Sequence, residues 1–403
     1  MIELEDVLAA RDRVADTSRH TPLDYTHTFS AMTGADVHLK LETFQRTGAF
    51  KIRGATNRIA TLPEADREAG VVTASAGNHA QGVALAATRA GVDAHIVMPE
   101  DAPISKVKAT RSYGAEVELH GLDYSEAAER AHAIERDEGR YYLHAFDDPM
   151  VMAGQGTIGL EIVEDLPSVD AVVVSIGGGG LISGVATAIT GKQPDTRVIG
   201  VQAEGASSVV PSLAAGERVE LDAVETIADG IATRTVGEST FEVIRERVDE
   251  VVTVSDDEIA VALAMLLERA KTLVEGAGAV PLAALLEGAF DYEAGETIVP
   301  VLSGGNIDLN TLTTVIVRGL AATGRYLRIR TVLHDRPGAL EEFVTIVADA
   351  GANIYAIQHD RTSRDVAMND AEIEVDLETR GEDHVDELVG ALEDAGYVID
   401  VLV

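Results

Sequence analysis

The sequence of 403 residues has no cysteine and no tryptophan, and lysine accounts for only 6 of its 32 basic residues. Without cysteine, disulfides, thiolate metal sites and thiol nucleophiles are excluded. The chain also lacks any apolar run near the roughly 20 residues that a membrane-spanning helix needs, and its charged amino terminus does not resemble a secretory signal. We therefore expect a cytoplasmic protein that does not contact a membrane.

Acidic residues outnumber basic ones by 68 to 32, which gives a formal net charge of -36. This charge repels nucleic-acid phosphates and argues against nucleic-acid binding. Apolar segments alternate with the carboxylates throughout the chain, a pattern that disordered acidic tails lack. Abundant Asp and Glu with scarce Lys indicate a halophilic protein from a high-salt cytoplasm. The alternative is an unusually acidic protein from a low-salt organism.

Short β-branched runs alternate with helical stretches, which predicts the α/β class with a mostly parallel sheet covered on both faces. We expect strands at 71–75, 93–99, 115–121, 171–177, 197–204 and 296–305. Ligands of such sheets bind at the carboxyl ends of the strands. Three of these ends carry unusual sequences, which are SAGNHAQG at 75–82, GGGGLISG at 177–184 and SGGN at 303–306.

The pattern changes after about residue 322, where strand, helix, strand is followed by a second strand, helix, strand. This order is typical of a small ferredoxin-like βαββαβ domain. We therefore expect two domains, at 1–322 and 326–403.

Four consecutive glycines, Gly177, Gly178, Gly179 and Gly180, follow a predicted strand and open a helix that continues with Leu181. Glycine lets backbone amides approach a ligand closely, and a helix amino terminus favours an anion, so this segment suits a phosphate. The alternative is a tight turn needed for close helix packing.

One lysine, Lys51, lies between Phe50 and Ile52. Apolar neighbours desolvate an amine, lower its pKa and leave it free to form an imine with an aldehyde. A phosphate cradle without a P-loop lysine, together with such an amine, points toward pyridoxal phosphate. A surface lysine with a buried stem is the alternative.

Six motifs resemble, in the same order, those of the fold-type II pyridoxal-phosphate enzymes, and within them the threonine ammonia-lyases (threonine dehydratases). They are KLETFQRTGAFKIRGA, SAGNHAQG, GGGGLISG, ADGIA, VEGAGA and LSGGN. The resemblance covers about residues 5–320. It implies a two-lobed parallel-sheet fold similar to tryptophan synthase β, with a small lobe at roughly 45–150 inserted in the large lobe. It also implies pyridoxal 5'-phosphate as cofactor.

Carried over position by position, the resemblance makes Lys51 the Schiff-base lysine and the base at Cα. It places Phe50 against the cofactor ring, Asn78 at the ring's 3'-oxygen and Ser303 at the pyridine nitrogen, with Gly177 to Gly180 and Leu181 around the phosphate. A neutral hydroxyl at position 303 does not hold that nitrogen protonated, which favours loss of a β-substituent over transamination.

The same resemblance assigns the substrate carboxylate to Ser75, Gly77, Asn78 and His79, in a loop that opens a helix. For these residues, capping and turn formation are the alternatives. Glu275 is either an acid beside the site or a helix cap.

The reaction implied is β-elimination of L-threonine to 2-oxobutanoate and ammonia, with secondary activity on L-serine. Serine or threo-3-hydroxyaspartate as main substrate is one alternative, and a non-catalytic amino-acid sensor on this fold is another. Racemases of the family use a serine where Ala76 stands, so racemisation is disfavoured. Gln202 and Ser208 occupy positions that are acidic in relatives with a divalent cation, so we expect no such metal site, although Glu204 leaves a monovalent cation open.

The segment 326–403 resembles an ACT domain, an amino-acid-sensing module, through HDRPGAL at 334–340 and GANI at 351–354. The residues expected at an effector are Asp335, Gly338, Ala339, Leu340 and Asn353. By analogy the effector is isoleucine or valine. ACT domains usually pair, so we expect a homo-oligomer, a dimer or tetramer. A purely structural or oligomerising domain is the alternative.

The charge generates a first prediction, that enzyme activity is lower in dilute buffer than in high potassium chloride. Unscreened carboxylates repel one another and destabilise the folded chain, whereas salt screens them. Activity assays across a potassium chloride series check this. Full activity in dilute buffer contradicts the high-salt interpretation.

Overall fold

The structure is a computed structural model, and it describes residues 1–362 and 366–403. The chain divides into two compact units, Met1–Leu312 and Thr313–Val403. This division lies before the boundary expected at 322–326, inside a helix that spans Leu309–Ala322. The domain limits taken from the sequence therefore stay a prediction. Among the helices of the described residues, none combines the length and the apolar character needed to cross a bilayer.

The first unit alternates helices and strands along most of its length. Its helices are α1 Leu4–Val14, α2 His27–Thr33, α3 Lys51–Ala60, α4 Glu64–Ala69, α5 Asn78–Ala90, α6 Ile104–Ser112, α7 Tyr124–Glu138, α8 Pro149–Asp165, α9 Gly180–Lys192, α10 Val209–Ala215, α11 Glu238–Arg247, α12 Asp256–Met265 and α13 Gly276–Leu286. The next helix, α14 Leu309–Ala322, begins in this unit and continues into the second. Its strands are β1 Leu23–Tyr25, β2 Asp36–Leu41, β3 Val71–Ala74, β4 Ala94–Met98, β5 Glu116–Leu119, β6 Tyr141–Tyr142, β7 Ala171–Ser175, β8 Arg197–Ala203, β9 Glu250–Val254 and β10 Thr297–Leu302.

These strands form two sheets. The larger has the order β1-β2-β10-β7-β8-β9 and is parallel except for β1, which pairs antiparallel with β2. The smaller has the order β5-β4-β3-β6 and is entirely parallel. Strands such as β4 and β7 are buried at every residue, as expected of parallel strands covered on both faces. The predicted α/β class with mostly parallel sheets is confirmed, and the smaller sheet lies within the segment 45–150.

Helix α3, which begins at Lys51, packs against α8 with almost no space between the two backbones. A Cβ atom added to Gly154 would lie 2.6 Å from the Arg53 carbonyl oxygen, and one added to Gly54 would lie 2.7 Å from the Val151 carbonyl oxygen. The Gly54 amide also donates to Gln155 Oε1 at 3.1 Å. Because residues larger than glycine do not fit at these positions, the contact fixes the distance between α3 and α8.

A buried ion cluster, Lys40, Glu42, Arg53 and Glu161, joins α3 to β2 and α8. Arg53 Nη2 donates to Glu42 Oε1 at 2.8 Å, Arg53 Nη1 donates to Glu161 Oε1 at 2.6 Å, and Lys40 Nζ donates to Glu161 Oε2 at 2.7 Å. The two positive charges balance the two negative ones, so no member of the cluster is buried without a partner. The cluster fixes the rotation of α3, two residues beyond Lys51.

The second unit is an antiparallel sheet with two helices. Its strands are β11 Tyr326–His334, β12 Asn353–Asp360, β13 Asp370–Glu378 and β14 Asp400–Val401, in the order β12-β13-β11-β14, and its helices are α15 Ala339–Asp349 and α16 Glu382–Asp394. Buried residues alternate along β11 and β13, which is typical of a sheet with one face on a core. The predicted βαββαβ order is confirmed, while its assignment as an ACT domain stays a prediction.

Candidate active site

A cavity of about 840 Å³ opens in the first unit where strand ends of its sheets meet. The site residues that the sequence predicts for this unit all line it. They are Phe50, Lys51, Ser75, Gly77, Asn78, His79, Gly177, Gly178, Gly179, Gly180, Leu181, Glu275 and Ser303. Segments more than 250 residues apart in sequence thus contribute to one pocket, as expected for ligand sites of α/β sheets.

The Lys51 amine lies at the start of α3 and donates from Nζ to the Ala145 carbonyl oxygen at 2.9 Å. Nζ is also 5.2 Å from the centre of the Phe50 ring. Burial lowers the pKa of Lys51 to about 8, and the charge of Glu275 opposes this only in part. At pH 7 an amine with this pKa is unprotonated in roughly a tenth of molecules, far more than an ordinary lysine, and the unprotonated form has the lone pair that a nucleophile or a base needs.

The residues before Lys51 pair with the end of β10. Phe50 N donates to Ser303 O at 3.1 Å, and Gly305 N donates to Gly48 O at 2.9 Å, on either side of an antiparallel bridge between Ala49 and Gly304. These contacts bring Ser303 next to the residue that precedes Lys51. The two motifs that carry the amine and the hydroxyl are therefore held together by backbone hydrogen bonds.

The glycine run forms the turn into α9. Gly179 has φ +91°, and α9 begins at Gly180. A Cβ atom on Gly178 would lie 2.3 Å from the Phe146 ring, and one on Gly177 would lie 2.8 Å from the Ile231 Cα. The glycines thus permit close packing as well as access to the helix amino terminus, so both interpretations of this run describe it. Amides at the start of a helix fit the phosphate of pyridoxal phosphate.

The loop at 75–79 opens α5, which begins at Asn78. Gly77 N donates to Ser75 Oγ at 3.1 Å, which orders the loop. The His79 ring is within 3.0 Å of the Leu143 carbonyl oxygen through Nε2. Burial, reinforced by the charge of Lys51, lowers the pKa of His79 to about 3. The imidazole is neutral, so an anion here is bound by the helix amides and not by a charged histidine.

Glu275 occupies the position before α13, and its side chain accepts a hydrogen bond from Asn78 Nδ2 at 2.6 Å instead of capping the helix. Burial raises the pKa of Glu275, and the hydrogen bond from Asn78 opposes this shift. Of the two roles left open by the sequence, the geometry favours an acid beside the site.

Two lining residues, Phe146 and Asn306, and the neighbouring His144 have no role predicted from the sequence. His144 Nδ1 accepts from the Asp147 amide at 2.8 Å, and its ring stands edge-on to Phe146 with centroids 4.6 Å apart. Phe146 packs against the glycine run. Asn306 donates to Asn78 Oδ1 at 2.8 Å. His144 and Phe146 follow the two-residue strand β6, which is too short for a periodic pattern.

The expected effector residues lie together near the start of α15, except for Asn353. Gly338 has φ +91° and precedes the helix, which begins with Ala339 and Leu340. Asp335 Oδ2 accepts from Arg361 Nε at 2.8 Å. Asn353 begins β12 and donates from Nδ2 to Glu378 Oε2 at 3.2 Å. Their roles stay predictions.

Of the two positions compared with metal-binding relatives, Gln202 makes internal hydrogen bonds, whereas the buried Ser208 hydroxyl has no hydrogen-bond partner among the described residues. Gln202 Nε2 donates to Ala206 O at 3.0 Å, and Gln202 Oε1 accepts from Val209 N at 2.8 Å. Within residues 1–362 and 366–403, no group of three or more His, Asp or Glu side chains is arranged to hold a metal ion.

Comparison with known proteins agrees with this site. The family described as "Pyridoxal-phosphate dependent enzyme" matches residues 14–304. The chain belongs to this family of enzymes, and its fold is that of the fold-type II members. Pyridoxal phosphate is accordingly its cofactor, and the buried amine, the helix amides and the neutral hydroxyl fit that group.

Individual relatives align over nearly the whole chain. An "L-threonine ammonia-lyase" of Geobacter sulfurreducens is 50% identical over 393 residues, which cover 98% of each chain. A protein of the same name from Thermotoga maritima is 48% identical over 402 residues, covering 100% of each chain. Among solved structures, the processed form of threonine deaminase isoform 2 from Solanum lycopersicum has a TM-score of 0.75 and 42% identity, covering 77% of this chain and 91% of that one.

The lowered pKa of Lys51 predicts that Lys51→Met stabilises the cofactor-free protein at pH 7. The unfolded lysine holds its proton up to about pH 10.5, and the folded one only up to about 8, so burying this amine costs stability at pH 7. We expect a gain of the order of 2 kcal/mol, because partial exposure to the cavity weakens the effect. The gain should shrink as pH rises from 8 to 10.5.

Denaturant titrations at pH 7 and pH 10 check this, with Lys40→Met as the matched control. Lys40 is also buried but pairs with Glu161 at 2.7 Å. Its loss leaves two buried carboxylates, Glu42 and Glu161, with only Arg53 to balance them, and should destabilise the protein. Destabilisation by both variants at pH 7 contradicts the prediction for Lys51.

Proposed function

We propose that this enzyme is a threonine ammonia-lyase that converts L-threonine to 2-oxobutanoate and ammonia, with secondary dehydration of L-serine. One observation carries the proposal. The buried Lys51 amine shares a cavity with the glycine run and a neutral Ser303, in a chain that aligns end to end with proteins named L-threonine ammonia-lyase.

Pyridoxal phosphate, when bound, supplies the electron withdrawal that makes the Cα proton of an amino acid acidic. Lys51 supplies the base, because its amine is unprotonated in part near neutral pH and lies on the cavity wall. The proton that leaves Cα is therefore held at Lys51 Nζ. Phe50 packs beside this amine and limits its contact with water.

The substrate carboxylate is bound by the amides of the loop at 75–79 at the start of α5. The neutral His79 ring is hydrogen-bonded to the Leu143 carbonyl oxygen, which holds this end of the loop in place. Ala76 also lines the cavity. Its methyl group cannot exchange a proton, which supports elimination over racemisation.

For the second unit we propose an ACT domain that binds isoleucine or valine at the start of α15 and at Asn353. A helix start offers amides to the carboxylate of an amino acid, and Asp335 offers a carboxylate to its ammonium. We further propose a homo-oligomer, a dimer or tetramer, and a cytoplasmic location.

The direct test is release of 2-oxobutanoate from L-threonine by the purified protein with pyridoxal phosphate. We expect turnover that falls by at least about 10²-fold in Lys51→Ala, since a positioned base is lost. Lys108→Ala is the matched control, because Lys108 is exposed on α6. Equal or better turnover of threo-3-hydroxyaspartate or serine contradicts threonine as main substrate, and full activity of Lys51→Ala contradicts the mechanism.

The effector proposal predicts that isoleucine or valine changes the rate of 2-oxobutanoate release. An effector can shift this rate only if it binds the active and less active states with different affinity. Rates measured over a concentration series of each amino acid check this. An unchanged rate with both contradicts this part of the proposal and leaves the catalytic part standing.

A further inference from the structure

Asn306 lines the cavity, and its side chain joins two other segments of the unit. Its side-chain nitrogen donates to the Thr47 carbonyl oxygen at 2.6 Å and to Asn78 Oδ1 at 2.8 Å. We propose that Asn306 is a positioning residue that sets the orientation of the Asn78 amide, so that Asn78 presents an N–H to the cofactor. The inference rests on the proposed function in that it takes Asn78 as the cofactor contact.

The orientation of Asn306 follows from its backbone partner. The Thr47 carbonyl can only accept a hydrogen bond, so the Asn306 nitrogen, and not its oxygen, must face it. The second N–H of the same nitrogen then faces Asn78 at 2.8 Å. Because this N–H is a donor, the oxygen of the Asn78 amide must face Asn306, and its nitrogen must face the other way.

The other side of Asn78 is fixed as well. Its nitrogen donates to Glu275 Oε1 at 2.6 Å, and a carboxyl oxygen accepts whether Glu275 is ionised or protonated. The Asn78 oxygen and one of its two N–H groups are thus engaged by the protein. What remains for a ligand in the cavity is one N–H donor, which suits an anionic ring oxygen such as the 3'-oxygen of pyridoxal phosphate.

The position of Gly48 gives independent support. A Cβ atom at Gly48 would lie 2.5 Å from Asn306 Oδ1, and the glycine has φ +71°. Gly48 O also accepts from Gly305 N, next to Asn306. The Asn306 amide thus occupies the space that a side chain at position 48 would need. Replacing Gly48 therefore displaces the Asn306 side chain without changing its chemistry.

The test uses Asn306→Asp in the full-length protein with pyridoxal phosphate. Aspartate keeps the size but replaces the nitrogen that carries both N–H donors with an oxygen, which repels Thr47 O and Asn78 Oδ1. We expect the dissociation constant for pyridoxal phosphate to rise about tenfold, the loss typical of one buried hydrogen bond. The visible absorbance spectrum of the bound cofactor should change as well.

Asn57→Asp is the matched control. Asn57 is buried on α3, where its nitrogen donates to Met150 O at 2.7 Å and its oxygen accepts from Arg13 at 3.1 Å. The substitution again removes donors to a backbone carbonyl, here directed away from the cavity. It should lower the melting temperature, while the absorbance spectrum and the cofactor affinity stay the same as in the wild type.

A double-mutant cycle shows whether Asn306 acts through Asn78. The double variant should lose no more cofactor affinity than Asn78→Ala alone, because each substitution deprives the cofactor of the same N–H of Asn78. Additive losses, or a wild-type spectrum and affinity in Asn306→Asp, overturn the inference. If Asn306→Asp does not fold, Gly48→Ala carries the same test with the same outcomes.

These readouts do not depend on threonine turnover. If the double-mutant cycle shows the coupling but the wild-type protein, with pyridoxal phosphate bound, does not release 2-oxobutanoate, the proposed function alone is refuted. Turnover of threonine without the coupling refutes the inference alone.

Discussion

The site depends on keeping one amine, Lys51, largely desolvated at the wall of a cavity. Burial moves its pKa from 10.5 to about 8, and the folded chain sustains this although it costs stability at neutral pH. The amine is held by its position at the start of α3. Backbone contact at Gly154 fixes the distance of that helix from α8, and the buried ion cluster fixes its rotation.

The same burial acts on other groups of the cavity in opposite directions. It keeps the His79 ring neutral and raises the pKa of Glu275. Around Lys51 the wall therefore offers helix amides, the Ser303 hydroxyl, a neutral imidazole and an amine with a lowered pKa. In contrast, Arg53 of the ion cluster is fully buried and stays charged, because the carboxylates of Glu42 and Glu161 outweigh the effect of burial and raise its pKa.

Much of the fold was predictable, because buried parallel strands show as continuous β-branched runs. All six expected strands are present as β3, β4, β5, β7, β8 and β10. The strands β1, β2, β6 and β9 were not predicted. The strand β6 has two residues, and β2 places Lys40 and His38 among its apolar residues, so neither has a clean apolar run. Their pairing is decided by tertiary contacts.

The site was predictable where the sequence is unusual for local reasons, as in the glycine run and at Lys51. The scarcity of lysine does not by itself identify the reactive amine, since Lys40 is another of the few lysines and forms a structural ion pair with Glu161. Asn306 is part of the motif SGGN, but the sequence assigns it no role. Its role arises from contacts with Thr47 and Asn78, which lie over 200 residues away in sequence, and no local pattern encodes such a contact.

The most direct measurement is borohydride reduction of the protein with bound pyridoxal phosphate, followed by mass spectrometry of its peptides. The account predicts a cofactor-sized mass increase on the peptide that contains Lys51, because its amine is the one that is desolvated and aimed into the cavity. The absence of any such adduct, or its presence on Lys40 or Lys106 instead, would contradict the account.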